Sequence, residues 1–225
     1  MRYISIDIET TGLETDRDQI LSIGAIIEDT NNPKNFEDIP KFHGVIKRNR
    51  LEGGLFAIDL NRDLIHTMNQ YATVRDESEK FKVSETNGVK FYEESEIVKE
   101  FYYWLAKHFF VDFNNIAQGN NVVERDGVML PAITNKIKPI HITAAGKNFA
   151  TFDKLFLERL PRWKQLIKIR QRILDPSILF VDWKNDESLP GMEKCKKRAG
   201  FDEFVSHNAL EDAWDVVELL RKDYD

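Results

Sequence analysis

The chain has 225 residues, 42% of them hydrophobic and 31% charged, with a formal net charge of −6. This length suits one α/β domain with a full core, and the acidic balance excludes the broad positive field with which a protein grips duplex nucleic acid nonspecifically. One cysteine, Cys195, excludes an intrachain disulfide, and no apolar run approaches the roughly 18 residues that would suggest a membrane span.

Residues 3–8 alternate, with Ile4, Ile6 and Ile8 on one side and Ser5, Asp7 and then Glu9 on the other, as in a half-buried strand. Residues 19–27 and 42–46 read as two further strands, with turns at Thr11-Gly12 and Asn31-Asn32-Pro33. A helix is expected over 60–69. The highly charged stretch 71–90 ends in Thr86-Asn87-Gly88 and reads as a mobile loop, and a second helix follows at 94–109. Asp126-Gly127 between apolar flanks predicts a hairpin over 122–130. Residues 140–144 form an expected buried strand, 150–160 a helix, and 172–174 a strand leading to Asp175-Pro176, where Asp175 has a turn or cap role. The last helices are expected at 192–198 and 208–222, with Asn208 as the N-cap of the second. No repeat, low-complexity tract or linker marks an appended unit. We therefore expect a single domain over 1–225, elaborated near 71–90 and 120–131. The start of the chain is a charged strand and not a basic, apolar leader, from which a cytoplasmic location is expected.

Several acids fall where the periodicity calls for core. Ala209, Ala213, Val216, Val217 and Leu220 mark one helical face, and Asp212 lies on it. Asp153 lies within the stripe Phe149, Phe152, Phe156, Leu157 and Leu160. Asp7 and Glu9 point the same way along a strand, about 6.6 Å apart at Cα. Buried carboxylates without a partner are costly, so a compensating cation is expected. Oxygen-only ligands suit Mg²⁺ or Mn²⁺, which favours chemistry at phosphorus, and a neutral His207 could take a proton from the attacking water. Taken singly, each of these residues has an ordinary reading as a solvated, capping or ion-paired group; their joint occurrence is what points to a metal site.

In order, Asp7-Ile8-Glu9-Thr10-Thr11-Gly12-Leu13, then Asn148-Phe149-Ala150-Thr151-Phe152-Asp153, then His207 to Asp212 resemble the three motifs of the DEDDh, or DnaQ-like, 3′→5′ exonucleases. Lys147 stands where many relatives have histidine, and Asn208 stands where the sister subclass has tyrosine. The resemblance covers about twenty residues. It implies a ribonuclease H-like mixed sheet flanked by helices, with two divalent cations, Mg²⁺ or Mn²⁺, held by Asp7, Glu9, Asp153 and Asp212. By the same resemblance His207 is the general base. Thr10, Thr11, Gly12 and Leu13 bind the terminal nucleotide, and Asn148 and Phe152 place the scissile end. The implied partners are single-stranded DNA or RNA 3′ ends, short oligonucleotides among them, and the implied product is a nucleoside 5′-monophosphate.

Two other classes are carried beside this one: a nucleic-acid-end or protein-binding module of the same fold, and a hydrolase of small phosphoesters. Two basic stretches flank the motifs. Arg159 to Arg172 and Lys194 to Arg198 read as solvated helix faces or as guides for a phosphate backbone.

Overall fold

A computed structural model describes residues 1–109, 122–125, 127–134 and 137–224. The first three strands form where the alternation predicts them: β1 (Arg2–Thr10), β2 (Ile20–Asp29) and β3 (Lys41–Ile46) make an antiparallel meander. The short strand β4 (Lys90–Tyr92) adds parallel to β3. On the other side of β1, the expected strand 140–144 arrives in two pieces. Its first piece, β7 (Ile140–Ile142), pairs with β9 (Ile167–Ile169), and its second, β8 (Ala144–Ala145), pairs parallel with β1. The main sheet therefore runs β4-β3-β2-β1-β8. Its flanks are helical, giving the expected mixed α/β layering.

The two faces of β1 have separate partners. Ile4, Ile6 and Ile8, with Ile23, Ala25 and Phe42, form one core with α4 (Glu94–Phe109), in which Phe101 meets Phe42 at 5.1 Å and Trp163 at 5.6 Å. Tyr3 and Ile26 pack on the opposite face against Ala213, Val216, Val217 and Leu220 of α8 (Ala209–Arg221). Alternation predicts a half-buried β1, but both faces are covered, because α8 lies over the polar side. Gly24 permits this approach: a Cβ there would collide with the backbone of Ala209 and Leu210.

The remaining helices differ from expectation for identifiable reasons. Residues 55–73 form two helices, α1 (Leu55–Leu60) and α2 (Arg62–Thr73), joined at Asn61. The stretch 71–90, expected as a loop, is helical at its centre: α3 (Glu77–Thr86) has little apolar face to reveal it. Asp76 caps it by accepting from Ser78 N and Glu79 N, and Tyr71 stacks on Phe91 beside it at 3.9 Å. Strands β5 (Val122–Arg125) and β6 (Val128–Pro131) form the expected hairpin; Asp126 and residues 120–121 lie outside the described residues. The helix expected over 150–160 shrinks to α5 (Asp153–Leu157). Phe152 has non-helical angles, and Pro161 disfavours helix at Leu160, so Phe149 and Leu160 reach the core from flanking turns. A single turn, α6 (Trp163–Leu166), precedes β9, whose formation the charged spacing there conceals. The strand expected at 172–174 is reduced to one bridge, Leu174 to Ala145, and Asp175 caps the 3-10 turn Pro176–Leu179 as expected. Helix α7 (Met192–Ala199) buries Cys195.

Gly24→Ala should drive α8 off the sheet. We expect a loss of about 1–3 kcal/mol in unfolding free energy, the usual overpacking range, measured by urea denaturation.

Candidate active site

Helix α8 crosses the polar face of β1 and sets Asp212, in its first turn, opposite Asp7 and Glu9. One carboxylate oxygen from each of the three lies within 4.8 Å of the others. Asp153 begins α5, is 3% exposed, and accepts a hydrogen bond from Ile8 N at 3.2 Å, which ties the second motif to the strand of the first. The expected set of four acids therefore converges, with Asp7, Glu9 and Asp212 as its tight centre.

Burial and mutual repulsion dominate the electrostatics. Asp7 is held well above the usual carboxylate range by burial first, then by Asp153, Asp212 and Glu9. Burial raises Asp153 as well, against the pull of backbone hydrogen bonds. Glu9 rises to about 8 through burial and Asp212, partly offset by the Asn61 side chain. Asp212 rises to about 7 through burial and Asp215, offset by Ser206 and Lys196. No lysine or arginine forms an ion pair with any of the four among the described residues. A small oxygen-lined site with surplus negative charge fits a hard divalent cation of the Mg²⁺ or Mn²⁺ type.

His207 stands apart from this centre. It is exposed, has a left-handed backbone (φ 52°), and lines a 230 Å³ cavity with Glu9, Ser22 and His43. Asn208 caps α8 as expected, accepting from Leu210 N at 3.1 Å and Glu211 N at 3.3 Å. The first-motif loop is pinned from within. Thr10 Oγ1 donates to Gly12 O at 2.7 Å, and Thr11 directs its hydroxyl to Glu52 O at 2.5 Å while accepting from Gln19 N. Thr11 N and O are also bonded, to Gln19 and Gly54, so all its polar groups serve the fold. Leu13 projects at 78% exposure from the same loop, beside a 740 Å³ cleft also lined by Phe56. Phe152 is half-buried against Phe156, and exposed Asn148 is held in a left-handed conformation (φ 58°) with its N–H on Asp175 Oδ2 at 3.0 Å.

The two basic stretches separate on inspection. Lys194 and Arg198 both pair with Asp186, Lys197 with Glu203 and Lys196 with Asp215, so the stretch before the third motif has none of its charges free. In the other stretch Lys164 pairs with Glu158, whereas Lys168, Arg170 and Arg172 are exposed and have no ion pair among the described residues. Sequence reading missed Asn61, which is 3% exposed and donates to Thr10 O at 3.3 Å and Ala57 O at 3.0 Å. It also missed Ser206, whose hydroxyl reaches Asp212 Oδ1 at 3.3 Å, and His43, which burial pushes down to about 4. A lone polar residue between two helices carries no chemical signal; a capping preference is all that could have drawn attention to Asn61.

No protein-family profile and no curated protein matches this chain. Solved structures do. Over 98% of this chain and 41% of the other, it superposes on Escherichia coli exonuclease I in complex with a dA16 oligonucleotide, with a TM-score of 0.52 at 12% identity. The fold is ribonuclease H-like. A moderately thermophilic exonuclease I from Methylocaldum szegediense matches with a TM-score of 0.51 at 15% identity, over 98% of this chain and 40% of that one. A zinc-bound form of the E. coli ExoI–ssDNA complex matches at 0.52 and 14%, with the same shares of each chain. The chain thus spans about two fifths of the length of these ribonuclease H-like structures.

The raised acids set a pH signature for the metal-free protein. A carboxyl whose folded value exceeds its unfolded value keeps its proton longer in the folded state, so its contribution to stability is lost as pH rises. For Asp212 this window runs from 3.8 to about 7. With EDTA present, the unfolding free energy of the wild type should fall relative to Asp212→Asn across that window, followed by chemical denaturation. Mg²⁺ should restore the wild type and leave Asp212→Asn little changed.

Proposed function

We propose that the chain is a metal-dependent 3′→5′ exonuclease that releases nucleoside 5′-monophosphates from single-stranded DNA ends. The observation that carries this reading is the convergence of Asp7, Glu9 and Asp212 within 4.8 Å, backed by buried Asp153. Asp7, Glu9 and Asp212 would hold one divalent cation, Asp7 would also reach a second, and Asp153 would hold that second cation directly or through water. Bound there, such cations lower the pKa of water and offset charge on the attacking and leaving oxygens.

His207 supplies what the acids lack. An imidazole at the solvent edge, beside Glu9, can take the proton of the attacking water and pass it to bulk solvent. The pinned loop from Thr10 to Gly12 gives a fixed platform for the terminal sugar, and Leu13 offers an exposed apolar surface for the last base. Phe152 and Asn148, from the second motif, would set the position of the scissile phosphate. Lys168, Arg170 and Arg172, exposed and without an ion pair among the described residues, support a strand substrate, since a small phosphoester would have no use for cations outside the site. The oligonucleotide complexes of the superposed exonuclease I structures favour DNA.

Digestion of matched 5′-labelled DNA and RNA single strands tests the reading. A ladder shortening from the 3′ end of DNA with Mg²⁺ or Mn²⁺, absent with EDTA and with Asp7→Ala, is the expected result. Metal binding without cleavage of either strand would instead point to a binding role or to small phosphoesters. His207→Ala should lower turnover by about 10²- to 10⁴-fold, the range of general-base catalysis, with metal affinity unchanged by Mn²⁺ titration. Near-normal turnover in that variant would remove His207 from the mechanism.

A further inference from the structure

The segment that presents His207 has little to hold it. Residues 202–207 have no regular secondary structure, and Phe204 is 70% exposed, so burial of that side chain contributes little to holding them. Beside His207, Ser206 touches Asp212 and Asn208 caps α8, and both attachments lie on the helix side. The far side is joined to α7 by an exposed ion pair, Lys197 to Glu203, and by Lys196, whose contact is the buried one. This lysine projects from α7, is 9% exposed, and donates from one ammonium to Phe204 O at 2.6 Å and to Asp215 Oδ2 at 2.7 Å. Asp215 sits on α8 one turn beyond Asp212. One buried cation therefore joins three parts: helix α7, the loop before the base, and the helix that carries an acid of the site.

Burying this ion pair has a desolvation cost, and an apolar pair would join α7 to α8 at least as well. An apolar side chain at position 196 could not hold the Phe204 carbonyl, whereas an ammonium has three donors and can serve the carboxylate and the carbonyl together. We infer that Lys196 is a positioning residue that fixes His207 relative to the acids by anchoring the loop at Phe204. The inference rests on the reading of His207 as the base. Lys196 touches no substrate and acts through the loop alone.

The test uses the full chain. Lys196→Met by itself strands the Asp215 carboxylate and so confounds folding with positioning; the principal variant is therefore Lys196→Met/Asp215→Leu, which removes both charges and leaves the local net charge unchanged. It is made in the wild type and in His207→Ala. Three quantities are followed: Mn²⁺ affinity, amide exchange of residues 203–208, and the single-turnover rate on a 5′-labelled DNA strand. The expected result is unchanged Mn²⁺ affinity, faster exchange confined to that segment, and a rate loss of roughly 10²-fold, the scale of a misplaced catalytic group. In the His207→Ala background the same pair of changes should cost nothing further. Equal fractional losses in both backgrounds, or unchanged exchange of the segment, would overturn the anchor. If the wild type cleaves no strand, the proposed activity fails, and the exchange measurement still decides whether Lys196 holds the loop.

Discussion

Repulsion among Asp7, Glu9, Asp153 and Asp212 is the constraint around which this protein is arranged. Each acid is raised above its ordinary value by burial, and Asp7 and Glu9 also by their neighbours, so the folded chain holds them together at a cost that packing must offset. The offset lies directly behind them. Ile4, Ile6 and Ile8 lock the opposite face of β1 into the larger core, and the apolar stripe of α8 closes over Tyr3 and Ile26. A glycine at position 24 lets the helix come near enough to complete the acidic centre.

Neutral donors and not cations finish the site. Ile8 N meets Asp153, Ser206 meets Asp212, and Asn61 acts on Glu9. Dipoles of this kind orient a carboxylate without cancelling its charge, so the site stays receptive to a cation from solution. Cations of α7 are occupied elsewhere: Asp186 binds two of them and Asp215 a third. Among the described residues Lys168, Arg170 and Arg172 remain exposed and without an ion pair beyond the second motif, so an acidic net charge is compatible with the proposed polyanionic substrate.

Two elements beyond the sheet, α3 and the 3-10 turn, are built by capping and aromatic contact more than by amphipathic stripes. Asp76 starts α3, Asp175 starts the 3-10 turn, and Tyr71 stacks on Phe91 where the helical insertion meets the sheet edge. Such devices are local and individually weak in sequence. Misreading 71–90 as a loop follows from that, because a charged helix with one good cap and almost no apolar face resembles a solvated linker.

What is periodic or carried by motif was legible in the chain before folding. Alternation over residues 3–8 and helical spacing over 94–109 and 208–222 were enough to place β1, α4 and α8, and acids at core positions were enough to announce a buried acidic cluster. Tertiary structure decided everything that depends on approach. That α8 lies over the polar face of β1, that Asn61 reaches Thr10 O, that a buried lysine reaches the Phe204 carbonyl, and that five of the expected guiding cations are already paired are all contacts made outside the repeat of any single element. Hydrophobic period reports which face of an element is buried, but it is silent on what the buried face meets, because a hydrogen bond or ion pair between remote residues leaves no repeating mark in either segment.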